Sequence, residues 1–284
     1  MTAASPATQA WHVLTFVWTH PANRHHRWRS LARACRYQVR GRLGRPTVAT
    51  IGKRARIRVS LHDTAAAKVI YANPPDWNEM WAWRRHLRPG DLFVDVGSNA
   101  GSYALWAADA GAEVVAIEPS GAAAATLRAN VALNPFPITV RQCALSAEPG
   151  QMWLTRDRGT TNHLLDAPSA EAETVDVDTL DNILGDRTAA GVKIDVEGAE
   201  RLVLEGARRA LAEGRIGVLQ IEWNAMSERV LGESRVPVAD LLTGHGYRLA
   251  RPDRHGVLRP VTAVPSSSDD MFAVAPRGPL CRPS

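Results

Sequence analysis

Between residues 91 and 275 two hydrophobic rhythms alternate along the chain. "DLFVDVG" (91–97), "EVVAIEP" (113–119), "ITVRQCAL" (138–145), "VKIDV" (192–196) and "IGVLQIEW" (216–223) are short apolar runs, as expected of strands buried on both faces. Helical spacing separates them near 101–110, 120–132, 199–213 and 236–244. Such alternation predicts an α/β fold, a mostly parallel sheet doubly wound with helices. "GYRLA" (246–250) and "DMFAVA" (270–275) are joined by a loop, which predicts an antiparallel closing pair. Residues 146–173, including "GTTNHLLDAP", look irregular and are long enough for a binding loop. Upstream, "RIRVSL" (56–61) and "AKVIYA" (67–72) read as strands, and "DWNEMWAWRRHL" (76–87) as a helix.

Ahead of this body, Trp28, Leu31, Ala32, Cys35, Val39 and Leu43 recur at helical spacing with Arg29, Arg33, Arg36 and Arg40 between them. Residues 1–62 hold twelve of the 34 basic residues and no Asp or Glu, so an acidic body carries a basic arm. The expected division is an arm at 1–62, a catalytic domain at 63–276 and a flexible tail at 277–284. The arm's apolar stripe either packs on the domain with solvated arginines, the simpler reading, or meets anionic lipid or a partner protein. Three scattered cysteines fit neither a disulfide framework nor a zinc site. No secretory leader or membrane span is expected, and the Arg-over-Lys bias suggests a bacterial cytoplasm, with membrane association through the arm as the variant.

Ligands in such sheets bind beyond the carboxyl ends of the central strands. There the first strand runs into Asp95, Gly97, Ser98, Asn99, Gly101 and Ser102, and the second ends at Glu118. Glycine admits a close approach of backbone to ligand, and Asn99 tolerates a left-handed turn. Glu118 can accept hydrogen bonds from both hydroxyls of a ribose. The spacing is G-x-x-x-G rather than the dinucleotide G-x-G-x-x-G, and Asp95 would repel a pyrophosphate. A carboxylate there suits a cofactor with a cationic amino-acid end, S-adenosylmethionine, over NAD(P).

"LRPGDLFVDVGSNAGSYALWAADAGAEVVAIEPS", "LRANVALN", "VKIDVEGAERLVLEGA", "IEW" and "GHGYRL" together resemble the FkbM family of S-adenosylmethionine-dependent methyltransferases, over roughly residues 75–275. "KIDVEGAE" is the most specific piece, and Ser98 stands where many members have alanine. The resemblance implies a Rossmann-like class I methyltransferase fold and O-methylation of polyketides, sugars or glycolipids. It also marks Glu79, on the helix before the first strand, as a cofactor or acceptor contact. Ala144, late in the third predicted strand, completes the cofactor-binding set.

Removing a hydroxyl proton calls for a base or a metal. Asp195, His163 and Glu222 are the candidates; Asp195 also counts as a cofactor contact, at the lip of the crevice. Lys193, Asp195 and Glu197 share one strand face, and Lys193 is expected to pair with a carboxylate. Glu200 is expected to cap the following helix. Asp195, Glu222 and Asn224 loosely resemble the magnesium set of catechol-type methyltransferases, so Mg²⁺ is an option behind metal-free chemistry. "NPPDW" (73–77) resembles an amino-methyltransferase signature, but lacks its aromatic residue and usual position. An N-methyltransferase is therefore kept only as the lesser alternative, and no nucleic-acid substrate is expected. The expected partner is a small-molecule or lipid-linked hydroxyl acceptor, and the rival is a non-catalytic S-adenosylmethionine binder.

Overall fold

The computed structural model describes residues 6–61, 64–155, 164–165, 172–224, 226–230, 232–261 and 270–276. The N-terminal elements are α1 (Pro6–Thr19), α2 (Arg27–Arg42), β1 (Thr47–Ile51), β2 (Ala55–Val59), α3 (Thr64–Tyr71) and α4 (Trp77–His86). Next come β3 (Leu92–Val96), α5 (Ser102–Asp109), β4 (Glu113–Ile117), α6 (Gly121–Val131) and β5 (Ile138–Arg141). A small four-stranded sheet follows, formed by β6 (Ala144–Leu145), β7 (Gly150–Thr155), β8 (Leu164–Leu165) and β9 (Ala172–Asp178). The chain then forms α7 (Leu180–Leu184), β10 (Ala189–Ile194), α8 (Glu200–Glu205), α9 (Arg208–Ala212), β11 (Ile216–Ile221) and α10 (Met226–Val230). It ends with α11 (Val236–Gly244), β12 (Arg248–Pro252), β13 (Leu258–Pro260) and β14 (Met271–Val274).

The main sheet has the order β13-β12-β14-β11-β10-β3-β4-β5. Strands β5, β4, β3, β10 and β11 are parallel, while β14 runs antiparallel to both β11 and β12. This is the Rossmann-like class I methyltransferase arrangement, with strand order reversing between β3 and β10. Along β3, Leu92, Val94 and Val96 enter one core layer with Val192 and Ile194, and Phe93 enters the other with Trp83 and Phe272. Asp95, Lys193 and Gln220 lie side by side in register on the Phe93 face. The same parity puts them where the sheet meets α4 and α5.

Several expected elements are corrected. "AKVIYA" is the end of helix α3, not a strand: Ala66, Ala67, Val69 and Ile70 are buried at helical spacing, which outweighs the β preference of Val-Ile-Tyr. "ITVRQCAL" divides, β5 staying in the main sheet and β6 pairing with β9. The irregular 146–173 section contributes to the small sheet, where Met152, Leu154, Val175 and Val177 pack with Ala144. The helix expected at 199–213 breaks into α8 and α9 at Gly206, where a Cβ would stand 2.1 Å from the Ser146 carbonyl oxygen.

The boundary expected at residue 62 does not coincide with a gap in packing. Ile51, Ala55, Ile57 and Val59 of the β1–β2 hairpin belong to the same core layer as Leu105 and Val114. Asp109 accepts the Lys53, Arg54 and Ala55 amides and an Arg84 ion pair at 2.7 Å. Asn130 and Asn134 of the α6 region serve the free edge of β2, taking the Arg58 and Arg56 amides. The hairpin thus shares the domain's core, and Val17 of α1 and Ala34 and Tyr37 of α2 pack into the same layer from the arm. Cys281 and the rest of the tail lie outside the described residues.

Candidate active site

A cavity of about 300 Å³ opens at the carboxyl ends of β3, β4 and β10, between the switch point and α5. Asp95, Gly97, Ser98, Asn99, Ser102, Glu118, Ala144, Asp195 and Glu222 all line it. Gly101 caps α5 behind this turn. Glu79 is not among the lining residues. Asp76, which precedes α4, takes that position with Pro75 and Lys68.

The turn after β3 is built for close approach. Gly97 has φ 80°, and a Cβ there would stand 1.8 Å from the Asp195 carbonyl oxygen. The Gly97 and Ser98 amides donate to the Ile117 carbonyl, and Asn99 adopts the left-handed conformation with φ 49°. Glu118 receives the Asn99 amide on one oxygen (2.9 Å) and the Ser120 amide on the other (3.0 Å). Burial nevertheless holds its pKa above the ordinary value. Asp95 is fully buried; one oxygen accepts the Ala104 amide at 3.0 Å and the other has no partner among the described residues. A buried carboxylate with a vacant acceptor, a Cβ-free turn and an oriented glutamate fit the amino, backbone-facing and ribose groups of S-adenosylmethionine.

On the other flank lie the charges. Lys193 is buried, donates to Asp195 Oδ2 at 2.6 Å and sits 4.7 Å from the centre of the Tyr103 ring. Burial alone would lower its pKa, but Asp195, Asp95 and Asp270 outweigh this and keep it a cation. Beneath it Gln220 donates to Asp270 (2.6 Å) and the Tyr103 hydroxyl (3.2 Å) and accepts from Trp83, which fixes this layer.

Asp195, Glu197 and Glu222 each place a carboxylate oxygen within 4.8 Å of the other two. Three carboxylates this close cannot all ionise against one lysine. Burial, with Asp195 and Glu197 beside it, pushes Glu222 up to about 10; burial and the Asp195 charge push Glu197 up to about 7. Glu222 Oε2 has no hydrogen-bond partner among the described residues. Glu197 holds a left-handed backbone, φ 55°, unusual for a side chain of its size and a mark of local strain at functional turns. Glu200 is different. It is fully buried, accepts the Val196 and Gly198 amides and pairs with Arg235 at 2.6 Å, so its role is structural.

Sequence comparison agrees with this geometry. A family model described as "Methyltransferase FkbM domain" matches residues 95–249. The chain belongs to the FkbM methyltransferase family. Its similarity to the 31-O-demethyl-FK506 methyltransferase FkbM of Streptomyces tacrolimicus is 33% identity over 198 residues, 57% of this chain and 74% of that protein. In shape it is similar to precorrin-6y C5,15-methyltransferase from Geobacter metallireducens (14% identity, 69% of this chain and 85% of the other, TM-score 0.39). It is also similar to magnesium protoporphyrin IX methyltransferase from Synechocystis (16%, 69% and 74%, TM-score 0.41).

In this FkbM-family methyltransferase the acidic trio differs from the magnesium set suggested by sequence. Glu197 completes it, whereas the Asn224 side chain accepts from Arg235 at 3.3 Å and does not line the cavity. Asn73 of "NPPDW" is also spent elsewhere, its amide group bonded to the Gly52 backbone in both directions. His163 lies outside the described residues. Lys68, Asp76, Tyr103 and Glu197 line the cavity without having been singled out for it. Glu197 was expected on one strand face with Asp195, but β10 ends at Ile194 and Glu197 reaches the cavity from the turn beyond it; Lys68 and Asp76 carried no signal, since only the fold of α3 and α4 brings them there.

Proposed function

We propose that the chain transfers a methyl group from S-adenosylmethionine to a hydroxyl of a secondary metabolite, polyketide or glycolipid sugar. The observation that carries this reading is the trio of Asp195, Glu197 and Glu222 at the mouth of the methyl-donor cavity. When bound, S-adenosylmethionine supplies an electrophilic methyl, and the acceptor hydroxyl has to give up its proton. Asp195 is held in the 2.6 Å ion pair with Lys193. Glu222 keeps its proton up to about pH 10 and cannot take another near neutrality. Glu197, titrating near 7, is poised to accept one, so it is assigned as the general base. Asp195 and protonated Glu222 orient the acceptor by accepting and donating hydrogen bonds. The proton on Glu222 and the Lys193 ammonium offset the trio's charge without a metal ion. A relative named for 31-O-methylation fits a hydroxyl acceptor.

The test is mass spectrometry of metabolite and lipid extracts from cells with and without the gene. A product lighter by one methylene in the deletion strain, with fragmentation placing the missing methyl on oxygen, supports the reading. A methyl on nitrogen or carbon overturns it. Unchanged extracts from expressing cells, with S-adenosylmethionine still bound by the purified chain, favour the non-catalytic binder.

A further inference from the structure

The arm's two helices seat Val13, Phe16, Val17 and Leu31 against the core but leave a second set of large apolar residues outside. In α2 the buried residues are Ser30, Ala34 and Tyr37, and of the expected apolar stripe only Leu31 packs partly against the core. Ser30 donates to Asn23 Oδ1, Arg33 donates to the Ile70 carbonyl at 2.6 Å, and Tyr37 donates to the Ser60 carbonyl at 2.7 Å. Trp28, Cys35, Val39 and Leu43, which recur along one stripe of the helix, face solvent, with Trp28 76% exposed. Arg29, Arg36 and Arg40 are exposed beside that stripe. Helix α1 repeats the pattern: Val17 is buried, while Trp11 (68% exposed), Leu14 and Trp18 form an outward row at i, i+3 and i+7. The rows meet where Trp18 and Trp28 pack edge to face at 5.2 Å and Arg27 lies over Trp18.

We propose that the outer face of α1 and α2 docks on an anionic lipid surface. Contiguous exposed apolar surface marks an interaction site, and this one carries the residue types suited to a headgroup boundary, tryptophan and leucine ringed by arginine. Its charge selects the occupant. No acidic residue occurs in residues 1–62, so a second copy would bring two cationic faces together, whereas anionic headgroups neutralise them. No helix among the described residues is long and apolar enough to span a bilayer, so the contact is peripheral. The inner side of the arm is bolted to the cavity wall. His20 Nδ1 accepts from the Ala22 amide, so Nε2–H donates to the carbonyl of Pro75, which lines the cavity, at 2.8 Å. Asn23 donates to the Tyr71 carbonyl at 2.8 Å.

The experiment is sedimentation of the full chain with vesicles of pure phosphatidylcholine or of phosphatidylcholine with phosphatidylglycerol. Two variants are compared, W11S/W28S and R29E/R36E/R40E. All five side chains are exposed, and an unchanged melting temperature confirms that the variants fold. Binding to the anionic vesicles is expected, weakened by salt, at least tenfold tighter than to neutral ones, and reduced at least tenfold in each variant. Equal binding to both vesicles, no binding, or binding that both variants retain overturns the proposal. So does concentration-dependent self-association in light scattering that W11S/W28S abolishes, which would make a second copy the occupant.

Discussion

The lip of the central sheet and the N-terminal arm both carry charges at regular spacing, and they answer to different constraints. On β10 the alternation of Lys193 with Val192 and Ile194 fixes which face each side chain takes, because a pleated strand cannot turn one residue over without breaking its ladder. Lys193 therefore lands on the Asp95 face and reaches Asp195. A helix keeps all of its internal hydrogen bonds whichever way it faces. In α2 the choice went to the side with a small residue, Ala34, and three polar groups with partners in reach, Ser30, Arg33 and Tyr37. Arm and lip thus teach that strand parity is a firm constraint and helical periodicity a negotiable one.

The largest effect should come from the lip. Glu197→Gln is expected to lower turnover by about 10²–10⁴-fold while leaving S-adenosylmethionine binding intact. In the unsubstituted enzyme kcat/KM should climb through about pH 7 as Glu197 loses its proton, and that limb should vanish in the variant. A variant with undiminished turnover would return the base to Asp195 or His163. Chelators are expected to leave the rate unchanged; loss of activity restored by Mg²⁺ would show that a cation holds the trio together.

How far the sequence could be followed divides along the same line. β3, β4, β10 and β11 were legible as buried runs, and the turn residues from Asp95 to Ser102 follow from them. α3 was not, because Val69, Ile70 and Tyr71 favour strands in isolation and only burial of Ala66 and Ala67 alongside them makes a helix. The small sheet escaped because the two-residue rhythm of "TVDVD" is short and its partner β7 lies more than twenty residues upstream in sequence. Glu197 was visible only as a charge close to Asp195 in sequence, because β10 ends at Ile194 and the expected strand face does not extend to it. Its elevated pKa was not, since it comes first from burial, which only the fold provides, with the Asp195 and Glu200 charges adding to it.

Inside the arm, Ala34→Leu should cost about 1–3 kcal/mol, since Ala34 is 3% exposed on the face that α2 packs inward. A thermal melt checks it. An unaffected melting temperature would mean that α2 is loosely seated and that the stripe was free to choose either side.

Glu222→Gln should raise stability, and more so as pH increases. With the folded pKa near 10 against an ordinary 4.5, the folded state holds a proton that the unfolded chain gives up. The unsubstituted protein therefore loses stability as pH climbs from about 4.5 through about 10. Glutamine removes that loss, so its advantage in melting temperature should grow by several degrees between pH 6 and pH 9. A constant difference across that range would mean that Glu222 is ionised in the folded protein, which would undo the assignment of Glu197 as the base.

The smallest effect should come from the residue that looks most hydrophobic in sequence. Trp28→Ser removes a large aromatic from α2 but leaves its inner face untouched, so the stability change should stay within about 0.5 kcal/mol. Its only aromatic contact among those described is with Trp18, itself on the outer row. A large loss of stability would place Trp28 in a packed interface and make the arm obey the same rule as the lip. A negligible loss, with Ala34→Leu clearly destabilising, would show that the helix is held by its small polar side and that the stripe is maintained for something outside the fold.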